Sequence, residues 1–320
     1  MAVQFGFHAS SGGNLEKIPL EVKKRGGECF QFFSRSPYGG KVNPLDSQEV
    51  TAFKDKCQQL GLSNYYIHSP YFINLASQNN RIFYGSIKAL QVDIERAETL
   101  GARFVVTHIG SAKDYAKDAT LFEENNQMGK AIPDKFQKEL LLMSQDKKFS
   151  LGAFIRVVEA LKKIAGERKK VPLIIEIAAG AGAILGVKFE EIAFYLESVP
   201  ALSGFCFDTA HAFASGYDIR SGSNIKKTFS AVDEIIGRNM LKMIHLNDSI
   251  GSLGSRIDRH AHIGKGELGV NPFRELVDYF SKKNYNIDMI LETPTSGGLL
   301  KDLALLKDFR ENNKTSKKGK

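Results

Sequence analysis

The chain has few cysteines and no long apolar run, and both features narrow the class of protein. Its 320 residues include three cysteines, Cys29, Cys57 and Cys206, an odd number without a CxxC pair. This pattern argues against a disulfide-stabilised scaffold and predicts buried, reduced thiols in a reducing cytoplasm. No apolar run approaches the ~20 residues of a membrane span, and the N-terminus has no basic region followed by an apolar stretch. We therefore expect neither a membrane segment nor a signal peptide.

The charge balance is moderately basic. Lysine and arginine number 44 against 36 acidic residues, which gives a net charge of +8 and a pI near 9.2. Such an excess is compatible with a polyanionic partner such as nucleic acid, although many proteins without one share it. The sign of the charge fits a nucleic-acid partner but does not decide the matter.

Short β-rich apolar runs alternate with segments of helical periodicity along the chain. Eight runs are candidate strands: Val3–His8, Cys29–Phe33, Asn64–His68, Arg103–His108, Pro172–Glu176, Gly204–Asp208, Leu241–His245 and Ile287–Glu292. Between them, apolar residues recur at the three- and four-residue steps of a helix face, as in Ile87, Leu90, Ile94 and Ala97. Eight β units, each followed by a helix, predict an α/β fold, a single (β/α)8 TIM barrel of parallel strands over residues 1–311.

Two segments depart from this rhythm. Residues 111–149 are long, polar and charged, and we interpret them as an insertion in the loop after the fourth strand, with a helix around Pro133–Met143. The last helix is expected at Leu299–Phe309, and the basic residues 312–320 are expected to form a solvated, disordered tail.

The chain has only seven histidines, and their placement is uneven. Four of them end candidate strands, the other three are expected in loops after strands 6 and 7, and none is expected in a helix: His8, His68, His108, His245, His211, His260 and His262. In an α/β barrel the C-terminal ends of the strands and the loops that follow them open onto one face. All seven imidazoles should therefore converge on one mouth.

Acidic residues repeat the pattern. Glu176, Asp208 and Glu292 each end a strand after an apolar run, where an ionised carboxylate is costly unless it is paired or bound to metal. Imidazole and carboxylate together form the ligand set of zinc, manganese or iron(II). With the Asp258-Arg-His260 segment added, the candidate ligands exceed the four or five that one zinc ion takes. The sequence therefore predicts a site for two or three metal ions, a usual device for hydrolysing phosphate esters.

Several longer motifs carry a specific family resemblance. The stretches are Gly6–Gly13, His68–Leu75, Phe205–Asp218, His245–Asp248, Gly254–His260, Gly264–Gly269 and Leu291–Thr293. The runs Asp-Thr-Ala-His-Ala-Phe-Ala-Ser-Gly-Tyr-Asp and Asp-Arg-His are the most specific among them. Over essentially the whole chain, apart from the insertion and the tail, the sequence resembles the endonuclease IV family of abasic-site (AP) endonucleases.

The resemblance implies a centre of three zinc ions, for which manganese is a possible substitute. It places His68 and His108 on one ion, and Glu176 bridges this ion to a second. The other ligands of the second ion would be Asp208, His245 and Glu292. His211, Asp258 and His260 would hold the third. It also implies that Glu176, Asp208 and Glu292 serve catalysis, in which a metal-activated hydroxide cuts the phosphodiester 5′ to an abasic site in duplex DNA and leaves a 3′-hydroxyl. The damaged nucleotide would be flipped out of the stack.

The loop expected to touch DNA departs from the family pattern. Where family members place an arginine into the lesion, Ser34–Gly40 carries Tyr38, which is either an exposed loop aromatic or a stacking wedge. We predict the wedge, with the family's tyrosine, Tyr71, on the other side of the gap and Arg35 on a phosphate. Arg259, in the Asp-Arg-His motif, is assigned to DNA binding as well.

Other departures lie next to the ligands. After Glu176 the family's polar Asn-Thr pair is replaced by Ile177 and Ala178, which removes a possible hydrogen-bonding partner and is expected to soften the metal geometry. His8 and His262 match no ligand position, and either a supporting or a phosphate-facing role is open for each.

Two other classes of protein compete with the nuclease. Metal-dependent sugar isomerases or epimerases of the xylose isomerase-like type also end barrel strands in Glu, Asp and His, but they have no use for the third trio of ligands. A non-enzymatic DNA-binding barrel would not keep nine ligands in an apolar mouth. Metal content discriminates between these alternatives. For the nuclease we expect a cytoplasmic monomer, associated with the nucleoid in a bacterium.

Overall fold

The computed structural model describes residues 3–10, 12–115, 130–165, 171–283, 285–293 and 297–318, with side chains described up to residue 312. Among these residues, no helix combines the length and the apolar composition needed to cross a lipid bilayer.

Within the described ranges, eight parallel strands close into a barrel in the order in which they follow along the chain. They are β1 (Gln4–Ala9), β2 (Cys29–Phe32), β3 (Tyr65–His68), β4 (Val105–Thr107), β5 (Leu173–Glu176), β6 (Gly204–Asp208), β7 (Leu241–His245) and β10 (Asp288–Leu291). Parallel pairing of β1 with both β2 and β10 closes the ring. Two short strands, β8 (Asp248–Ser249) and β9 (His260–Ala261), pair antiparallel in the loop after β7. The predicted TIM barrel is confirmed.

Helices follow the strands and cover the outside of the barrel. They are α1 (Lys17–Lys24), α2 (Ser47–Gln59), α3 (Asn80–Leu100), α4 (Asp134–Lys147), α5 (Gly152–Ala165), α6 (Phe189–Ser198), α7 (Thr209–Ser215), α8 (Gly222–Ile235), α9 (Asn271–Lys282) and α10 (Leu299–Lys318), with a 3₁₀ turn at Arg238–Met240.

The longest of the helices with described side chains throughout, α3, shows how sequence sets these bounds. The Asn79 side chain accepts hydrogen bonds from the backbone N–H groups of Arg81 and Ile82, which caps the first turn. Gly101 ends the helix at a φ of 81°, a left-handed conformation that glycine adopts without strain. The predicted apolar stripe of Ile87, Leu90, Ile94 and Ala97 is buried against the barrel.

The barrel interior consists of an apolar layer with a polar layer above it. The apolar layer takes one residue from each of seven strands: Cys29, Tyr66, Val106, Ile174, Cys206, Met243 and Ile290. Side chains two positions apart on a strand point to the same face. Two positions further along the same seven strands, the interior therefore receives Gln31, His68, His108, Glu176, Asp208, His245 and Glu292. The two-residue alternation of side chains along a strand thus places these predicted ligands at one level of the mouth.

The insertion and the tail differ in part from their predictions. The helix expected around Pro133–Met143 is α4, Asp134–Lys147, while residues 116–129 of the insertion lie outside the described residues. The helix expected to end at Phe309 continues to Lys318, so helical backbone covers residues 312–318 of the segment predicted to be disordered. Residues 319–320 lie outside the described part of the chain. All three cysteines are buried free thiols, as predicted.

Candidate metal centre

Three groups of histidine and carboxylate side chains lie together at the C-terminal mouth of the barrel. Within each group the candidate ligand atoms lie within 4.8 Å of one another. The three groups share members through two carboxylates, so they form one continuous cluster: His68, His108 and Glu176; Glu176, Asp208, His245 and Glu292; and Asp208, His211 and His260.

Glu176 joins the first two groups. Its Oε2 atom lies 3.0 Å from Nε2 of His68 and 3.4 Å from Nε2 of His108. Its Oε1 atom lies 3.0 Å from Nδ1 of His245, which in turn lies 3.1 Å from Oε2 of Glu292. The carboxylate therefore presents one oxygen to each group, which is the arrangement expected of a bridging ligand.

The third group forms at the edge of the mouth. Nε2 of His211 lies 3.1 Å from Oδ1 of Asp258 and 3.3 Å from Nε2 of His260. Asp208 also reaches this group, because its Oδ2 atom lies 3.8 Å from Nε2 of His260. Asp258 is half-exposed, whereas His211 is buried. The third group is thus open to solvent on one side, where a substrate can approach.

The prediction that His211 lies in a loop is wrong. It lies in the short helix α7, at whose N-terminus the Asp208 side chain accepts a 2.8 Å hydrogen bond from the backbone N–H of His211. This cap makes the residues after Asp208 helical, and the small alanines of α7 allow them to pack against the barrel. His260 lies in the loop after β7, as predicted, where it belongs to the short strand β9.

Each of three candidate ligand histidines has one ring nitrogen within hydrogen-bond distance of an oxygen that is not a candidate metal ligand. Nδ1 of His68 lies 2.7 Å from the Ser69 carbonyl oxygen, and Nδ1 of His211 lies 3.0 Å from the Ile177 carbonyl oxygen. Nε2 of His245 lies 3.0 Å from Oε1 of Gln31. When these nitrogens donate their hydrogens to the oxygens, the other ring nitrogen is left unprotonated and directed into the cluster, as metal-ligating histidines require.

One of these bonds comes from the position where Ile177 replaces the family's polar residue. The bond that orients His211 comes from the main-chain carbonyl of Ile177, so it does not depend on the side chain at that position. The backbone N–H of Ile177 is bonded in turn to the Cys206 carbonyl at 3.1 Å, which continues the ladder between β5 and β6.

Two amide side chains that the sequence did not single out hold the carboxylates. Gln31 donates from Nε2 to Oε1 of Glu292 at 2.7 Å, and Asn247 donates from Nδ2 to Oδ2 of Asp208 at 2.6 Å. Asn247 also accepts a 2.8 Å hydrogen bond from the backbone N–H of Glu292. The two-residue strand period would have indicated Gln31, since it lies two positions after the buried Cys29.

Electrostatics keep the carboxylates ionised. Burial opposes the charged form of Glu176, but the imidazoles of His108 and His245 outweigh burial and hold its pKa well below the ordinary value. Glu292 behaves similarly: burial raises its pKa, and the larger combined effect of its neighbours, His245 first, brings it well below the ordinary value. Burial also lowers the pKa of His68, yet its hydrogen bond and charge interaction with Glu176 raise it overall, because imidazole and carboxylate attract each other. The ionised carboxylates supply the negative charge that a cation site requires.

A cavity of about 1440 Å³ opens above the cluster. Loops that follow β1 to β5 line it, together with the segment around Asp258 and His260. Its volume exceeds the roughly 300–1,000 Å³ typical of small-ligand pockets, so the site can admit part of a larger substrate. Tyr38, Tyr71 and Arg259 all lie on its walls.

The assignment of Arg35 to a phosphate is corrected by its contacts. Its Nε and Nη2 atoms donate to Oδ1 and Oδ2 of Asp93 at 2.8 and 3.0 Å, and Nη2 also reaches the Ala89 carbonyl at 3.2 Å. Both side chains of the pair are buried. Arg35 therefore anchors its loop to helix α3, because a buried guanidinium needs its carboxylate partner.

Tyr38 and Tyr71 lie side by side rather than on opposite sides of a gap. Their ring centroids are 5.8 Å apart, and the Tyr71 ring packs edge-on against Phe33 at 5.2 Å. Tyr38 is 84% exposed and Tyr71 is 64% exposed. The two rings form one aromatic edge on the rim of the cavity, with the polar Arg259 side chain exposed elsewhere on the same wall.

The two remaining histidines occupy different settings. Nδ1 of His8 lies 3.1 Å from Nε2 of Gln31 and 3.8 Å from Oε1 of Glu292, and burial lowers its pKa. Nδ1 of His262 lies 2.6 Å from Oδ2 of Asp302 on α10. His8 thus borders the cluster, and His262 ties the segment after β9 to the last helix.

Comparison with known proteins agrees with this geometry. Residues 20–312 match a family model described as a xylose isomerase-like TIM barrel. A curated relative from Chloroflexus aurantiacus, named "Probable endonuclease 4", is 32% identical over 313 residues, which cover 96% of this chain and 98% of the relative. The solved structure of endonuclease IV from Thermus thermophilus has a TM-score of 0.77 at 29% identity, covering 97% of this chain and 99% of that one. A D-tagatose 3-epimerase-like protein has a TM-score of 0.65 at 18% identity, covering 98% and 99%, a likeness that shows the fold alone.

Proposed function

Because the chain belongs to the endonuclease IV family of xylose isomerase-like TIM barrels, we propose that it is a DNA-repair endonuclease that cuts at abasic sites. It hydrolyses the phosphodiester 5′ to the lesion in duplex DNA and leaves a 3′-hydroxyl. The observation that carries the proposal is the trio His211, Asp258 and His260. Oδ1 of Asp258 lies 3.1 Å from Nε2 of His211 and 3.9 Å from Nε2 of His260, beside the two groups joined by Glu176. A sugar isomerase or epimerase on the same fold has no use for this trio.

The residues fit a centre of three zinc ions by the chemistry of their donors. Five imidazoles and four carboxylates supply the nitrogen and oxygen ligands that zinc accepts, and manganese is a reasonable substitute. His68 and His108 would hold one ion with Glu176, which would also serve the ion held by Asp208, His245 and Glu292. His211, Asp258 and His260 would hold the third. The ring orientations of His68, His211 and His245 support this assignment.

Ions bound here would supply activated water at neutral pH and would neutralise negative charge on a phosphate. The chain's own part is to fix the carboxylates that we assign to catalysis, Glu176, Asp208 and Glu292. Gln31 and Asn247 hold Glu292 and Asp208 in place through 2.6–2.7 Å hydrogen bonds. A preorganised site of this kind does not have to reorganise during the reaction, which is the main source of electrostatic catalysis.

Recognition of the lesion is assigned to the aromatic edge and the rim of the cavity. Tyr38 and Tyr71 expose flat faces on which bases next to the lesion can stack, and Arg259 is exposed where it can meet a phosphate. A nucleotide without its base is cheap to turn out of the stack, because little stacking and no pairing is lost. The net charge of +8 favours binding to the DNA backbone.

The test is cleavage of two duplexes that differ at one position, where one carries a tetrahydrofuran abasic analogue and the other an intact base. We expect a single cut 5′ to the analogue, a product that a DNA polymerase can extend, and little cutting of the intact duplex. A chelator should abolish cleavage, and added zinc or manganese should restore it. Equal cleavage of the two duplexes, or full cleavage activity in the presence of a chelator, would refute the proposal.

A further inference from the structure

The loop after β5 lacks polar side chains although it lines the cavity. Residues 177–186 read Ile-Ala-Ala-Gly-Ala-Gly-Ala-Ile-Leu-Gly, and Ala178, Ala179 and Ile184 face the cavity. Buried main-chain N–H and C=O groups must find partners. Some of these groups pair within the backbone, as when Ala178 N–H donates to the Gly186 carbonyl at 2.8 Å and Leu185 N–H donates to the Gly110 carbonyl at 3.0 Å. Since the loop has no polar side chains, further groups are satisfied by side chains from elsewhere in the chain.

Some of the loop's N–H groups are satisfied by a buried glutamate. Glu191, which is fully buried near the start of α6, accepts hydrogen bonds from the backbone N–H groups of Gly186 at 2.7 Å and Val187 at 2.8 Å. The Tyr195 hydroxyl donates to the same carboxylate at 3.0 Å. These bonds fix the C-terminal end of the loop to the helix that follows it.

Two of the loop's carbonyl groups are satisfied by a lysine from the insertion. Lys147 donates from Nζ to the Ile184 carbonyl at 2.8 Å and to the Gly180 carbonyl at 3.3 Å. Its side chain is partly buried, and burial lowers the pKa of the amine to about 8. A lysine is costly to bury, so its placement under these carbonyls needs a compensating gain.

The helix that carries Lys147 is packed against the rest of the protein through buried side chains. Lys147 is the last residue of α4, and the Phe136 ring of that helix packs against Phe194 of α6 with centroids 5.8 Å apart. Leu140 and Met143 on the same face are also buried. The lysine is therefore held by the protein's core rather than by a mobile surface helix.

We propose that the insertion braces the rim of the cavity, and that Lys147 is a positioning residue which holds loop 177–186 in the shape that contacts DNA. The brace acts through the Gly180 and Ile184 carbonyls in the middle of the loop. The role in DNA binding depends on the proposed function, whereas the brace itself does not.

The experiment compares Lys147→Met with Lys135→Met, which removes a lysine from the exposed side of the same helix. Hydrogen exchange of the amides in 177–187 should become about tenfold faster in Lys147→Met only, as expected from the loss of the charge-assisted hydrogen bonds that Lys147 donates to the Ile184 and Gly180 carbonyls. On the tetrahydrofuran duplex, KM should rise several-fold with little change in kcat. Metal content should stay unchanged, because Ile177 remains bonded to β6.

Unchanged exchange in loop 177–187, or an equal effect of Lys135→Met, would overturn the brace. If Lys147→Met does not fold, Lys147→Gln, which keeps an N–H donor group but not the charge, is measured in the same way and should give an intermediate increase in exchange. If the wild-type protein does not cut abasic DNA, the proposed function fails, and the exchange data still decide whether Lys147 braces the loop.

Discussion

Among single residues, Tyr38 bears most directly on the proposed recognition of the lesion. It is the most exposed large hydrophobic side chain among the described residues, at 84%, and it lies against Tyr71 on the cavity rim. Pro37 stiffens its loop, and Gly39 and Gly40 follow at φ values of 95° and 102°, so the turn that presents the ring depends on glycine.

Tyr38→Ala should reduce lesion-specific binding about tenfold or more, because stacking of a base on an aromatic side chain contributes ~1–3 kcal/mol and 1.4 kcal/mol is a factor of about ten. Binding to abasic and intact duplexes, measured by fluorescence anisotropy, gives the ratio. Tyr84→Ala, which removes a half-exposed tyrosine from α3, is the control. If the Tyr38→Ala protein still prefers the abasic duplex to the intact one as the wild type does, Tyr38 is not a wedge. The nuclease assignment would then still stand.

At the scale of elements, helix α3 holds the loop that carries Tyr38. Asp93 accepts both hydrogen bonds from Arg35, and Arg96 donates from Nε to the Ser34 carbonyl at 3.1 Å and to the Ser34 hydroxyl at 3.2 Å. Burial raises the pKa of Asp93 in spite of Arg35, so the charge pair is expensive to bury. The pair of Arg35 and Asp93 fixes the loop only when both partners are present.

Asp93→Ala should lower the free energy of unfolding by about 3 kcal/mol or more, because it leaves the Arg35 guanidinium buried without its partner. Urea denaturation measures the loss. Glu197→Ala, which breaks the exposed pair with Lys135, should cost about 1 kcal/mol at most. Replacing both buried partners, as Arg35→Met with Asp93→Leu, should recover much of the stability. A small loss in Asp93→Ala would mean that Arg35 is free to reach a phosphate.

Features set by neighbouring residues could be predicted from the sequence, whereas contacts between residues far apart in the chain could not. Apolar runs and their polar ends are local signals, so the strands and the residues that end them, such as His68 and Glu176, could be predicted from the sequence. The partner of Arg35 lies 58 residues away on a different element, and no local pattern indicates that pairing. Gln31 was missed because one amide in an apolar run is typical of an ordinary strand, although its two-residue spacing from Cys29 was available.

Across the whole molecule, closure of the barrel determines the site. Residues from six strands and from the loops after β6 and β7 meet only because parallel strands end on one face. The sharing of Glu176 and Asp208 among the three groups could not be predicted from spacing, since it depends on side-chain orientation in three dimensions. Nor does spacing show that His211 lies on a helix, because the Asp208 cap forms that helix.

The proposed three-ion centre would separate this protein from the sugar-active barrels that share its fold, so metal stoichiometry tests the proposal directly. Elemental analysis of protein purified without chelator should find about three transition-metal ions per chain, mainly zinc. His260→Ala should bind about one ion fewer and lose most of its cleavage of abasic duplex. Its circular dichroism should stay unchanged, since the His260 side chain lies at the mouth and outside the apolar core. One ion or none in the wild-type protein, or near-normal cleavage by His260→Ala, would contradict the assignment.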